Sequence, residues 1–401
     1  MDKRRLYILS GLIMFLCMGT IYSWSVFRGP LVKELELLSG EHISATMAQM
    51  PYTIFLLFYS FTMPFSGKLI KKIDPRIICI VGSLLVGLAW ILAGNSRDIR
   101  QIMWTYGVLG GIGVGIVYGV PIAIVTAWYP NKKGLAVGLT LMGFGMSPLI
   151  TAPLANILII NHGIFKAFKN IGFIFAIVLS IISLLFQFPK ENIEIKKIDK
   201  DEKEYTTKEM MKESSFYALW VCFIIGTFVG LMMVGIAKIY AVETVGLSDS
   251  VATLLLSFFA VFNGIGRPIF GSLVDKIGVK KTIYLSYSLI IFACLLKIFF
   301  STSHIAYAIG YLLFFMNLGG WLAIVPAANI SLFGREYSTQ NYGVLFTAYG
   351  IGALLQGFFG GYIRDTFGSY TYVFKPILYV ALAGVLINLL FIKERKSKES
   401  R

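Results

Sequence analysis

Long apolar runs separated by short polar turns recur along the whole chain. Each run reaches the roughly 20 residues that a helix needs to cross the hydrocarbon core of a bilayer. Together they predict twelve helices, at about 6–27, 45–68, 77–95, 101–128, 134–159, 167–188, 216–241, 249–273, 281–302, 305–332, 339–362 and 370–392. Gly and Pro fall inside these runs, as membrane helices tolerate. The fold expected is all-α and polytopic. One stretch breaks the pattern: residues 189–214 hold about seven lysines and about eight acidic groups with hardly an aromatic, the composition of a solvated linker. The expected organisation is therefore an N-terminal six-helix half (1–188), a charged linker (189–214) and a C-terminal six-helix half (215–401). Two related loops support a duplication of six plus six. Gly67-Lys-Leu-Ile-Lys-Lys-Ile-Asp-Pro-Arg76 follows the second span, and Gly271-Ser-Leu-Val-Asp-Lys-Ile-Gly-Val-Lys280 follows the eighth.

Composition agrees: 57% of residues are hydrophobic and 14% charged, which excludes an ordinary soluble globule. The net charge of +15 would suit a nucleic-acid binder if it were clustered on one surface. It is not. About 25 of the 36 Lys and Arg lie in the termini and alternate loops that share one side, and about 7 in the loops of the other. The positive-inside rule then places both termini in the cytoplasm and the lipid bilayer, not nucleic acid, as the macroscopic partner. The basic start, Lys3-Arg4-Arg5, precedes a run too long for a signal-peptide core and without a small-residue cleavage site, so a retained first helix is expected. Cys17, Cys79, Cys222 and Cys294 all fall within spans and have no metal-ligand spacing. The histidines, His42, His162 and His304, fall in or beside loops on the outer side, and no nucleophile–base pair or metal cluster is visible, so neither an enzyme nor a cofactor is expected.

Arg267 is the position that asks for an explanation. It lies between the apolar runs 251–262 and 268–274, about 12 Å along a helix from Asp275. A charge at that depth costs about 2.5 kcal/mol or more, so such residues usually face a partner or an aqueous path. No Asp or Glu stands near the middle of any span to pair with it, and Asn263 lies one turn earlier on the same face. An anionic solute is the partner expected. Other polar and aromatic residues also stand inside the spans: Tyr22 and Trp24 in the first, Gln49 in the second, Tyr118 in the fourth and Trp321 in the tenth. Trp24 suits an interfacial aromatic belt equally well. Tyr342, Phe346, Tyr349 and Gln356 share one face of the eleventh span; a cavity wall and ordinary aromatic packing both fit that pattern. In the fourth span, Gly107, Gly111, Gly115 and Gly119 recur every four residues and form a stripe for close helix packing, not a phosphate loop. Lys238, Glu243 and Lys375 lie near span ends where snorkelling suffices, whereas Lys297 sits deeper.

Twelve spans in two halves, with related loops after the second and eighth, resemble the major facilitator superfamily. More narrowly, Tyr22-Ser-Trp-Ser-Val-Phe27, the Gly-rich fourth span leading to Trp128-Tyr-Pro-Asn-Lys-Lys-Gly134, Asn263-Gly-Ile-Gly-Arg267 and Asn341-Tyr-Gly-Val-Leu-Phe-Thr-Ala348 resemble the oxalate/formate antiporter family and its monocarboxylate-transporter relatives. The resemblance implies a secondary transporter of the cytoplasmic membrane, working as a monomer by alternating access. Arg267 would hold a substrate carboxylate, with Asn263, Tyr118, Tyr349, Phe346, Tyr22, Gln49 and Trp321 around the cavity. Gly67, Gly271, Asp275 and Lys276 would be gating positions in the loop motifs. Two departures matter. Oxalate carriers of this type have lysine where Tyr349 stands, so one cation rather than two faces the substrate, and a monocarboxylate such as lactate, pyruvate or formate is expected before oxalate. In the first loop motif Lys71 replaces the more usual Asp and Asp74 the usual Gly. The co-transported species, a proton or a counter-anion, stays open.

Overall fold

The computed structural model describes residues 3–70, 72–129, 133–189 and 204–394. Lys71, residues 130–132 and residues 190–203, on which the loop-motif and linker expectations fall, lie outside the described residues. The twelve spans are α1 (Lys3–Met18, a 3₁₀ turn Gly19–Ser23, then Trp24–Ser39), α2 (Ala45–Leu69), α3 (Pro75–Ala93) and α4 (Ile99–Ile102, a π segment Met103–Gly110, then Gly111–Trp128), followed by α5 (Lys133–His162) and α6 (Ile164–Ser183). The last six spans, called here the second half as α1–α6 are called the first, are α7 (Ser214–Glu243), α8 (Asp249–Ile277), α9 (Val279–Phe299), α10 (His304–Phe333), α11 (Ser338–Phe367) and α12 (a 3₁₀ turn Tyr370–Val373, then Phe374–Phe391). Eleven of these are long and apolar enough to cross a membrane. The twelfth, α2, spans 25 residues but carries Gln49, Pro51, Tyr52, Tyr59 and Pro64, which lower its hydropathy. The chain is an all-helical, multi-pass membrane protein. The side of the bundle at which α1 begins and α12 ends is called here the terminal side; the other is the distal side.

Local chemistry sets the helix ends. Ser44, Asp74, Asp98, Ser248 and Ser303 accept hydrogen bonds from backbone amides in the first turns they precede. Asp74, singled out as a departure from the loop motif, is thus an N-cap, followed by Pro75 at the first helical position. The first span runs farther than its hydropathy predicted, to Ser39 rather than 27. The extra turns bury Leu31 and Leu35 while Lys33, Glu34 and Glu36 face outward, so the helix outlasts the apolar run. It stops at Gly40, whose φ of 70° suits glycine and no β-branched residue.

Glycine faces decide the packing. The α4 stripe lies on α2: a Cβ at Gly107 would meet Ile54, at Gly111 Phe58, at Gly115 Thr62 and at Gly119 Ser66. Two further seams join the halves. Along α2 and α11, Thr53 meets Gly357, Ser60 meets Gly350 and Pro64 meets Gly343. Along α5 and α8, Gly145 faces Gly264 and Gly138 faces Pro268. Two distal-side pairs form at helix ends: Lys238 with Asp249 at 2.9 Å and Arg364 with Glu243 at 2.6 Å. Trp24 is not in an interfacial belt. It is buried, stacks on Tyr106 at 5.1 Å, with Trp90 edge-on to the same ring at 5.0 Å, and donates from Nε1 to the Ala48 carbonyl at 3.3 Å. All four cysteines are buried and free.

Candidate functional site

The centre of the molecule is built on Arg267. Its helix, α8, packs on α5 so closely that backbone approaches backbone, and Arg267 Nη1 donates to the Leu141 carbonyl of α5 at 2.7 Å. That bond crosses between the halves. Arg267 is fully buried, its Nε and Nη2 have no hydrogen-bond partner, and among the described residues no carboxylate pairs with it. The guanidinium lies 5.7 Å from the centre of the Phe144 ring, a cation–π distance. This contact softens the burial of charge without neutralising it.

Aromatic hydroxyls surround the guanidinium. Tyr118, Tyr22 and Tyr342 are its electrostatic neighbours; the Tyr118 hydroxyl faces Arg267 and Tyr59 without completing a well-formed hydrogen bond to either, and that of Tyr342 has no partner. Tyr22 comes from the 3₁₀ turn of α1, where Gly19 lets α1 approach the backbone of Phe144; the turn breaks the α-helical register there. Its hydroxyl meets that of Tyr349 at 2.7 Å, a second polar link between the halves. Phe346 stacks on Tyr349 at 5.0 Å and lies 5.7 Å from Tyr118. Five residues expected at the site, Arg267, Tyr22, Tyr118, Phe346 and Tyr349, thus form one continuous cluster. Asn263 faces a space of about 10 Å³ that it shares with Tyr22, and its Oδ1 is also without a partner.

The sequence model of the Major Facilitator Superfamily matches residues 6–355. The chain belongs to that superfamily. Its members are transporters rather than enzymes. Among its relatives is the oxalate:formate antiporter of Oxalobacter formigenes, 29% identical over 362 residues, covering 90% of this chain and 85% of that one. The apicoplast pyruvate carrier 1 of Toxoplasma gondii is 21% identical over 451 residues, covering 86% and 82%. Monocarboxylate transporter 12-B of Danio rerio is 24% identical over 345 residues, covering 77% and 71%.

In this member of the superfamily two expected site residues stand apart from Arg267. Gln49 is on the distal side, where its Oε1 accepts from Arg28 Nη1 at 3.2 Å, because the start of α2 is a distal end. Trp321 lies within the second half, against Gly226, Tyr287 and Phe223; only Phe223 links it to Tyr349 and Phe346. Of the loop-motif positions, Gly67 abuts the Thr339 backbone across the α2–α11 seam and Gly271 lies against Ala323. Asp275 and Lys276 are exposed in the last turn of α8 and form no ion pair among the described residues. Lys297 faces neither the centre nor lipid: its Nζ donates to the Ser301 carbonyl at 2.9 Å and sits 4.8 Å from the Tyr240 ring and 5.7 Å from that of Tyr307.

Other members of the cluster escaped the sequence reading. Tyr59 touches Tyr118 and Phe346, each at 5.1 Å, and Phe144 touches Tyr22 at 5.2 Å and Tyr118 at 5.7 Å. Tyr52, seven residues before Tyr59 on the same face of α2, has a buried hydroxyl without a partner. That periodicity was a usable signal. On the terminal side a cavity of about 260 Å³, bounded by Gly67, Thr126, Asn329, Arg335 and Tyr342, leads up to the cluster.

Proposed function

We propose that the protein is a secondary transporter of small monocarboxylates of the lactate, pyruvate or formate class, acting by alternating access. One observation carries this: a buried guanidinium at the junction of the halves with two donors, Nε and Nη2, that have no partner. A carboxylate matches such a pair of N–H groups through two parallel charge-assisted hydrogen bonds. Tyr118 and Tyr342 supply hydroxyls for a keto or hydroxy oxygen, and Phe144, Phe346 and Tyr59 an apolar wall for a methyl group. Charge count selects the class. Arg267 is the only cation in the cluster among the described residues; Tyr349 occupies the position of a second cation in oxalate carriers, and Lys297 is enclosed elsewhere. A second carboxylate would be buried without a countercharge.

In this reading both termini are cytoplasmic, in keeping with the charge asymmetry of the loops, and the membrane is the cytoplasmic membrane. The anion enters from one side, pairs with Arg267 and lets the halves rock about it, the seams α2–α11 and α5–α8 opening at one end at a time. A proton is the coupling species we favour. The relative in Oxalobacter supports a second reading, exchange of a dicarboxylate for formate, in which the superfamily role stays and the charge argument falls. Uptake of labelled pyruvate, formate and oxalate into sealed proteoliposomes separates them. Monocarboxylate uptake that is accelerated by an acid exterior is expected. Uptake indifferent to an imposed pH gradient would remove the proton, and transport of oxalate alone would overturn the substrate class.

A further inference from the structure

Arg28 makes a second cationic position on the same pathway. It projects from the distal half of α1, makes no ion pair among the described residues, and donates one hydrogen bond, to Gln49 of α2. From the other half, Gln356 of α11 reaches the same small space, about 20 Å³ in volume, and its Nε2 is buried without a partner. Gly235 of α7 lies between the two amides: a Cβ there would be 3.5 Å from Gln49 Nε2 and 3.6 Å from Gln356 Oε1. The titratable neighbours of the space are the neutral phenol Tyr370, which faces Arg28, and, beyond it, the charged Arg364, Glu243 and Asp365. Arg364 neutralises Glu243, and Asp365 accepts from Thr46, so neither carboxylate bonds to Arg28.

Register ties this cluster to the central one. Gln356 follows Tyr349 by seven residues on one face of α11, roughly 10 Å farther toward the distal side. Arg28 follows Tyr22 by six on α1. The Tyr22–Tyr349 hydrogen bond therefore stands between two cation clusters, each drawing residues from both halves. We infer that Arg28, Gln49 and Gln356 form a distal carboxylate site, which holds the anion through the guanidinium and the two amides before it passes the tyrosine pair to Arg267. At about 20 Å³ the space holds little more than one water, so the site forms fully when the distal ends of α1 and α7 part. This inference rests on the carboxylate reading of the centre.

The test combines kinetics with chemical protection. In proteoliposomes of known orientation, Arg28→Gln is expected to raise KM for the carboxylate about tenfold from the distal face, with saturated uptake from that face and the terminal-face KM within twofold and, because both directions share one equilibrium, saturated release toward the distal face slowed about tenfold. Arg28→Lys restores most of the loss, and Gln356→Ala raises the same KM several-fold. Independently of transport, modification of Arg28 by phenylglyoxal, read by peptide mass spectrometry, is slowed by acetate in the wild type and in Arg267→Met alike. A KM unchanged, or changed equally from both faces, overturns the site, as does turnover lost at constant KM, which marks Arg28 as a gate latch. If the protein moves no carboxylate but acetate still protects Arg28, the distal site stands and the transport reading falls. If it moves carboxylates and acetate does not protect Arg28, the distal site falls alone.

Discussion

Replacing Arg267 by Met tests whether the guanidinium is there for a ligand or for the fold. In the structure it donates one hydrogen bond, to Leu141 O, and leaves Nε and Nη2 unpaired while fully buried. A charge-assisted bond of this kind contributes about 1.5–3 kcal/mol. Against it stands the desolvation of an ion, several kcal/mol even after relaxation, with the Phe144 ring recovering about 2 kcal/mol. Leu141 O is a carbonyl within α5 and keeps its helical amide when the guanidinium leaves. Met fills similar length with apolar atoms, so the ligand-free variant should be as stable as the wild type or more so. The bound state should suffer. Two lost charge-assisted bonds amount to about 3–6 kcal/mol, or roughly a hundredfold or more in affinity. Thermal unfolding of the purified protein in detergent, with and without pyruvate or formate, reads both quantities. The expected result is an unshifted or higher Tm without ligand and no ligand-induced rise. A variant that unfolds several degrees lower and still responds to ligand would refute the reasoning and make Arg267 a structural bridge.

Three further outcomes follow from the same geometry. Tyr22→Phe and Tyr349→Phe each remove one 2.7 Å bond between the halves, at about 1 kcal/mol, and the double variant should cost no more than either single one when unfolding is measured in a double-mutant cycle; additive losses would show that each hydroxyl has another partner. Tyr349→Lys places a second cation beside Tyr22 and should move competition in uptake assays from monocarboxylates toward oxalate by tenfold or more, and an unchanged selectivity would sink the charge-count argument. Lys297→Met should leave the KM for a monocarboxylate within twofold, because Lys297 is spent on Ser301 O and the Tyr240 and Tyr307 rings; a rise comparable to that of an Arg267 variant would make it the missing second cation.

Hydropathy made the twelve spans legible because bilayer thickness fixes helix length, and the boundary that moved most, at the end of α1, lies where an amphipathic helix continues past the apolar core. Arg267 was legible because a charge at midplane is costly wherever it points. Its companions were legible only in part. Tyr349 and Phe346 share a face by periodicity, but periodicity does not say at which depth a face changes partner, so Gln356 on that face lies in the distal cluster with Arg28. Gln49 misled for the same reason: its α2 face is the face of Tyr52 and Tyr59, but it stands ten residues nearer the distal end than Tyr59. The group that holds Arg267, the Leu141 carbonyl, left no trace in the sequence, since every residue carries the same backbone oxygen and only the α5–α8 approach selects this one. Trp321 marks another limit. An amphipathic residue in a span signals a polar need, and its Nε1 has no partner, but the signal does not distinguish a central wall from the interior of one half.

The two bridges across the centre bear on how binding could drive motion. Arg267 belongs to the second half and Leu141 to the first; Tyr22 belongs to the first and Tyr349 to the second. An anion seated on Arg267 Nε and Nη2, within reach of Tyr118, is thus held by both halves at once. Its binding energy bears on the equilibrium between arrangements of the halves only as far as those contacts differ between them. One neutral hydrogen bond of about 1 kcal/mol and one charge-assisted bond of about 1.5–3 kcal/mol would hold a ligand-free centre closed weakly, whereas an anion on Nε and Nη2 adds two further charge-assisted bonds. The same difference gives a rule for exchange. If closure without ligand is cheap, the ligand-free carrier can return across the membrane and net uptake is possible. If the uncompensated Arg267 charge makes that return slow, the carrier crosses only when loaded and exchange dominates. The balance therefore rests on the cost of burying one guanidinium, which the unfolding of Arg267→Met measures and the ratio of exchange to net uptake reports in the membrane.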